Sequence, residues 1–138
     1  MSELNSHNQK TTPPHAILPV LGKLKDTYLL WHQYHNLLPK TQKYSLGNRV
    51  DTLFIESIEA ISTAAFLPKG EKTPWVRLAI RKMDTVKILV MILWETKSLD
   101  NKKYITLSEK VDEVGKQLGG WNGQLQKQNS ADNKSAEK

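Results

Sequence analysis

Two pairs of side chains in this sequence are spaced so that they could act together. His32 and His35 stand at i, i+3, and so do Glu56 and Glu59. On a helix that step puts both members on one side. Metal-binding bundles use it, joining a Glu-x-x-His of one helix to a glutamate of another. Neither pair is completed here. The histidines have no carboxylate or third histidine in a matching motif, and the glutamates have no histidine partner. A structural or solvent-facing role fits both pairs better. A glycine-rich phosphate loop, a G-x-S-x-G elbow and a zinc pattern are all missing. The sequence has no cysteine, which removes thiolate chemistry and disulfides. Trp31, Trp75, Trp94 and Trp121 are spread along the chain and read as core or interface residues. The expectation is a protein with no catalytic residue, no metal and no cofactor.

What remains is positive charge. Lysine and arginine number 20 against 14 acids, a formal charge of +6. A solvated charged surface can give that balance, and so can a binding face for an anionic partner such as nucleic acid. Distribution has to separate the two. Arg77 and Arg81, two of the three arginines, lie four residues apart. They project from one helix face, and arginine's planar fork suits phosphate. Lys40 and Lys43 sit in "LPKTQKYSLGNRV" beside Tyr44. That ring can stack on a base or pack against helix ends. Lys23 and Lys25 add charge earlier in the chain.

Four amphipathic segments must position these groups. The first runs from about Ile17 to Asn36, with Val20, Leu21, Leu24, Tyr28 and Trp31 at helical spacing. Pro39 ends it. The second starts near Ser45, a good N-cap, and carries Leu46, Val50, Leu53, Phe54, Ser57, Ile61, Ala64 and Ala65 to Leu67. Thr73-Pro74 reads as a cap followed by proline in the first turn, and the third segment runs to about Ser98. Asp100 is a cap for the fourth, whose stripe of Tyr104, Leu107, Val111, Val114, Leu118, Trp121 and Leu125 keeps its period across Gly119-Gly120. Those glycines could end the helix, but the unbroken register favours continuation to about Leu125. Gly115 and Gly119, one turn apart, could let another helix approach closely. No segment alternates with period two. The pattern argues an all-α, up-down-up-down antiparallel four-helix bundle over residues 17–126. Residues 1–16 and 127–138 are polar and read as disordered tails.

On a helical wheel of the third segment, Trp75, Val76, Ala79, Met83, Val86, Val90, Leu93 and Trp94 form the core arc. The opposite side begins basic, with Arg77 and Arg81, and turns apolar at Ile88, Met91 and Ile92. Ile55 and Phe66 also lie off the stripe of the second segment. Either the bundle is irregular and buries this face, or the face is a subunit contact. An outer apolar patch favours the contact, hence a homo-oligomer. The N-terminus lacks a signal-peptide core, and the longest apolar run, Ile88 to Trp94, is too short to span a bilayer. A soluble cytoplasmic protein with no membrane partner is expected.

"LPKTQKYSLGNRV", "AAFLP" and "LDNKKYITLSEKVDEVGKQLGGW", carried on four helices at this spacing, resemble a bacterial four-helix-bundle family. That family includes the accessory variability determinants of diversity-generating retroelements and the proteins encoded within 23S ribosomal RNA genes by intervening sequences. The resemblance covers about Leu18 to Leu125. Its most telling pieces are Leu38, Pro39, Lys40, Lys43, Tyr44, Leu46 and Gly47 of the first joint and the LGGW step at Leu118 to Trp121, which look closer to the retroelement branch. The resemblance implies a homopentameric barrel without catalytic activity. It implies binding of RNA or DNA through a basic surface, and association with a reverse transcriptase during error-prone copying of a template RNA. On that reading Lys23, Lys40, Lys43, Arg77 and Arg81 contact nucleic acid or polymerase, and Ile55, Ile88, Met91 and Ile92 line subunit contacts. The alternative is a structural or interaction bundle of the intervening-sequence type with no polymerase partner.

Overall fold

Hydrophobic stripes of helical period, punctuated by Pro39, Pro68 and the "SLDN" break, resolve into four helices. A computed structural model describes residues 18–137, with side chains described for 19–132. Helix α1 spans Leu18–Leu37, α2 Asn48–Phe66, α3 Thr73–Glu95 and α4 Asn101–Glu137, with no strand among the described residues. The tail expected over residues 1–16 lies outside the described residues.

The helices close a ring in which α1 packs on α2, α2 on α3, α3 on α4 and α4 on α1. Neighbours run in opposite directions. Along α3 and α4, Thr73 meets Asn129, Lys87 meets Asp112 and Trp94 stacks on Tyr104. Along α1 and α4, Lys23 meets Glu113 and Tyr34 meets Lys103. Residue numbers rise on one helix as they fall on the other. The first and third connections therefore share one end of the bundle.

The stripes become the core. Leu24, Trp31, Phe54, Ile61, Val86, Val90, Leu93, Leu107, Val114 and Leu118 are buried in one cluster. Burying each side chain of this size contributes about 1.5–3 kcal/mol relative to leaving it exposed. Two polar groups buried among them are satisfied locally. Thr27 Oγ1 donates to Lys23 O at 2.7 Å and Ser57 Oγ to Leu53 O at 2.8 Å. Trp75 and Trp94, expected within the core arc of α3, are instead 38% and 37% exposed. They stand at the two ends of the helix, where the bundle leaves one side of a large ring uncovered.

The joints differ from expectation in detail. Pro39, at φ −56° and ψ 145°, occupies the cap position, and the chain turns helical at once through Lys40–Gln42. A π-helical turn over Lys43–Gly47 then runs straight into α2. Ser45 is therefore inside a helix rather than capping one, and its Oγ donates back to Thr41 O at 3.0 Å. Gly47 is dictated by space. A Cβ there would come to 2.9 Å from His35 Cδ2, 3.0 Å from Leu38 Cδ1 and 3.1 Å from Gln42 O.

Thr73 does not cap α3 either. The 3-10 turn Lys69–Glu71 feeds into Lys72, which is already helical at φ −76° and ψ −35°. Thr73 Oγ1 accepts from Asn129 Nδ2 at 3.2 Å instead. Lys72 Nζ donates to Ala64 O at 2.7 Å and Ala65 O at 3.3 Å, adding a donor to carbonyls at the end of α2, where Ala64 O also accepts from Leu67 N–H at 3.3 Å. Burial lowers the pKa of that ammonium. Asp100 does cap α4, its Oδ1 accepting from Lys103 N–H at 2.8 Å.

Helix α4 passes through Gly119 and Gly120 and continues beyond Leu125 to Glu137. At about 1.5 Å per residue it is over 50 Å long, against about 35 Å for α3. Asn129 is its last described hydrogen-bond partner on the bundle, and the rest of α4 extends past the start of α3. Gly115 and Gly119 do not serve close packing within the chain, because a Cβ at either would meet nothing within 4 Å.

Candidate nucleic-acid interface

The sequence-expected cations fall in three places. Lys40 and Lys43 lie in the first joint, at the end of the bundle where α4 begins. Lys40 is exposed, and Lys43 Nζ sits 5.7 Å from the ring centroid of Tyr44, which is 65% exposed. Arg77 and Arg81 are exposed in the first half of α3. Some 20 Å of helix separates Arg81 from the end where Lys40 lies. Lys23 is on α1, which lies across the ring from α3.

Lys23 is also the one whose charge is matched. Its Nζ lies 2.6 Å from Glu113 Oε1. The hydrogen bond from Lys23 holds the Glu113 carboxyl below its ordinary range. Lys82 and Lys87 are similarly engaged, by Glu56 at 3.4 Å and Asp112 at 2.6 Å, and the hydrogen bond to Asp112 raises the Lys87 pKa. Among the described residues no carboxylate pairs with Lys40, Lys43, Arg77 or Arg81.

The bundle adds cations that charge counting along single helices missed. Because the first and third joints share an end, Lys97, Lys102 and Lys103 stand at the same end as Lys40 and Lys43. Lys103 Nζ lies 5.8 Å from the Tyr34 ring of α1, so the last turn of α1 and the first turn of α4 touch. Burial, and then the charge of Asp100, raise the Tyr34 pKa. Between the third joint and α4 lies an open cleft of about 550 Å³, lined by Trp94, Glu95, Lys97, Leu99, Asp100 and Asn101. The "DNKK" run was the available signal. Its meaning depended on knowing that alternate joints of an up-down bundle meet.

The His32/His35 pair does not form a shared site. His35 stacks on Trp31, with centroids 5.2 Å apart, and its Nε2 donates to Lys43 O at 3.2 Å. That bond fastens the π turn to α1. Its Nδ1 faces Asp51 Oδ1 at 3.8 Å, and the same oxygen accepts from Trp31 Nε1 at 3.3 Å. His32 is exposed and contacts Asn36 at 3.5 Å. No group of three His, Cys, Asp or Glu side chains that could hold a metal ion occurs among the described residues.

The apolar candidates divide by depth. Ile55 and Ile88 are 42% and 52% exposed, while Met91 and Ile92 are half-buried. Ile88 and Ile92 follow Arg77 and Arg81 along the outer face of α3, at i+7 and i+11 from Arg81. No helix among the described residues is long and apolar enough to cross a membrane. Compared with known proteins, the chain matches no family model, no curated protein and no solved structure.

Proposed function

We propose that this protein is a non-catalytic accessory factor that binds nucleic acid through its unpaired cations. It assembles as a homo-oligomer and serves a reverse transcriptase during mutagenic copying of a template RNA in a diversity-generating retroelement. The observation that carries the reading is the division of the basic residues. Lys23, Lys82 and Lys87 are matched by carboxylates, whereas Arg77, Arg81, Lys40 and Lys43 have no carboxylate partner among the described residues. Cations kept unpaired in this way suit phosphates, whose neutralisation makes affinity fall steeply with salt. The resemblance of the first joint and of the LGGW step to retroelement accessory proteins supplies the polymerase partner and the pentameric barrel, and the sequence reading adds a cytoplasmic setting. Ile55 and Ile88, exposed on the outside, support the subunit contact, with Met91 and Ile92 beside them.

The test is co-purification and binding. The full chain, co-expressed with the reverse transcriptase of a diversity-generating retroelement, should co-purify with that enzyme and with RNA. The Arg77→Ala/Arg81→Ala variant should bind oligonucleotides more weakly and with a shallower salt slope. Absence of both polymerase and salt-sensitive nucleic-acid binding would leave the alternative, a structural or interaction bundle of the intervening-sequence type.

A further inference from the structure

The cleft at the α3–α4 end contains an aromatic surface that the core does not use. Trp94 is 37% exposed, yet it is held on two sides. Its ring stacks on Tyr104 with centroids 4.8 Å apart and planes at 11°, and its Nε1 donates to Asn101 Oδ1 at 2.7 Å. A half-exposed indole locked by a stack and a hydrogen bond has already lost the rotamer freedom that binding would otherwise cost.

Beside it the backbone is strained. Helix α3 closes in a Schellman turn, with Ser98 N–H bonded to Leu93 O at 2.8 Å and Lys97 N–H to Trp94 O at 2.9 Å. The residue in the left-handed position is Lys97, at φ 62°, where glycine is favoured. A lysine kept at a strained position, lining the cleft next to an open indole, points to use of its ammonium. Residues 95–103 hold three lysines (Lys97, Lys102, Lys103) and two carboxylates (Glu95, Asp100). Asp100 is committed to the first turn of α4, and Lys40 and Lys43 lie at the same end.

We propose that this cleft is a single-strand site, in which an unpaired base of RNA or DNA stacks on Trp94 while Lys97 and Lys102 take the flanking phosphates. The inference rests on the nucleic-acid reading above and narrows its substrate to unpaired strands. Bases inside a duplex have both faces covered and cannot stack on a side chain, whereas base–aromatic stacking is tolerant of sequence.

The test titrates the full chain with a labelled polyuridine oligonucleotide and with a blunt, fully paired duplex of the same length. Trp94→Ala should weaken single-strand binding by roughly five- to 100-fold and leave duplex binding unchanged, while Trp94→Phe retains most of the affinity. Lys97→Gly keeps folding out of the result. It relieves the strained φ and should make the protein more stable, yet weaken single-strand binding several-fold. If Trp94→Ala leaves single-strand affinity intact, or lowers both substrates equally, the stacking site is wrong while nucleic-acid binding stands. If polyglutamate competes as well as polyuridine, the cleft takes an acidic protein segment instead and the proposal fails. If neither oligonucleotide binds the unmodified chain, the underlying reading fails with it.

Discussion

The same substitution, glycine to alanine, is expected to have opposite effects at two helical positions. In a helix interior alanine is favoured over glycine by about 1 kcal/mol. At Gly115 nothing lies within 4 Å of the added Cβ, so Gly115→Ala should realise that gain, near 1 kcal/mol. At Gly47 the Cβ would meet His35 Cδ2 at 2.9 Å, Leu38 Cδ1 at 3.0 Å and the backbone oxygen of Gln42 at 3.1 Å. The carbonyl cannot rotate away as a side-chain tip would. Overpacking of this kind costs about 2 kcal/mol, and displacing His35 weakens its bond to Lys43 O, a further ~1 kcal/mol. Set against the propensity gain, Gly47→Ala should be destabilising by about 2 kcal/mol, which puts the two variants about 3 kcal/mol apart. Urea unfolding followed by circular dichroism, at one fixed protein concentration because assembly shifts apparent stability, measures the difference. In a His35→Ala background the added methyl gains room, so the Gly47→Ala penalty should shrink by 1 kcal/mol or more, on the order of couplings seen between touching residues. A Gly47→Ala protein as stable as Gly115→Ala, or a penalty unchanged by removing His35, would refute the close approach of the π turn to α1.

Other outcomes follow from the same contacts. Asp51→Ala should cost about 1–3 kcal/mol in urea unfolding because it strands the Trp31 Nε1–H of a fully buried ring; Asp51→Asn, which keeps an acceptor, should lose less. The Glu113 carboxyl titrates below its ordinary range in the folded chain because Lys23 bonds it. The unfolded state therefore takes up the proton first, and this pair's contribution is present at neutral pH and lost as pH falls through the folded value. Glu113→Gln should flatten that part of the acid unfolding profile. Ile88→Asp should shift light scattering toward smaller species, and unchanged mass would remove the outer face of α3 from the subunit contact.

The helices were legible because their stripes are long and regular. Val50 to Ala65 and Leu107 to Leu125 read as buried faces, and the buried residues of α2 and α4 fall on them. Joint chemistry was legible only where one residue settled it, as Asp100 does at α4. Ser45 and Thr73 are good capping residues by type, but each follows a segment that is already helical, and type carries no information about that. Trp75 and Trp94 share the core register of α3, yet they stand at its ends, where burial depends on neighbours from other helices. The geometry of the candidate site was legible only in part for the same reason. Single-helix charge patterns picked out Arg77 and Arg81. They did not reveal that Glu113 engages Lys23, or that Lys97, Lys102 and Lys103 gather beside the first joint, because both are facts of helix pairing.

The central claim is that unpaired cations make this bundle a nucleic-acid-binding protein. The most direct measurement is the affinity of the full chain for single-stranded RNA across a range of salt concentrations, with the Arg77→Ala/Arg81→Ala and Lys40→Ala/Lys43→Ala variants in parallel. Log affinity should fall linearly with log salt, by roughly 0.7 per phosphate neutralised. Each double variant should bind more weakly and with a shallower slope, by up to about 1.4 if both its cations contact phosphate. Affinity that is flat with salt, or slopes that all four substitutions leave unchanged, would contradict it.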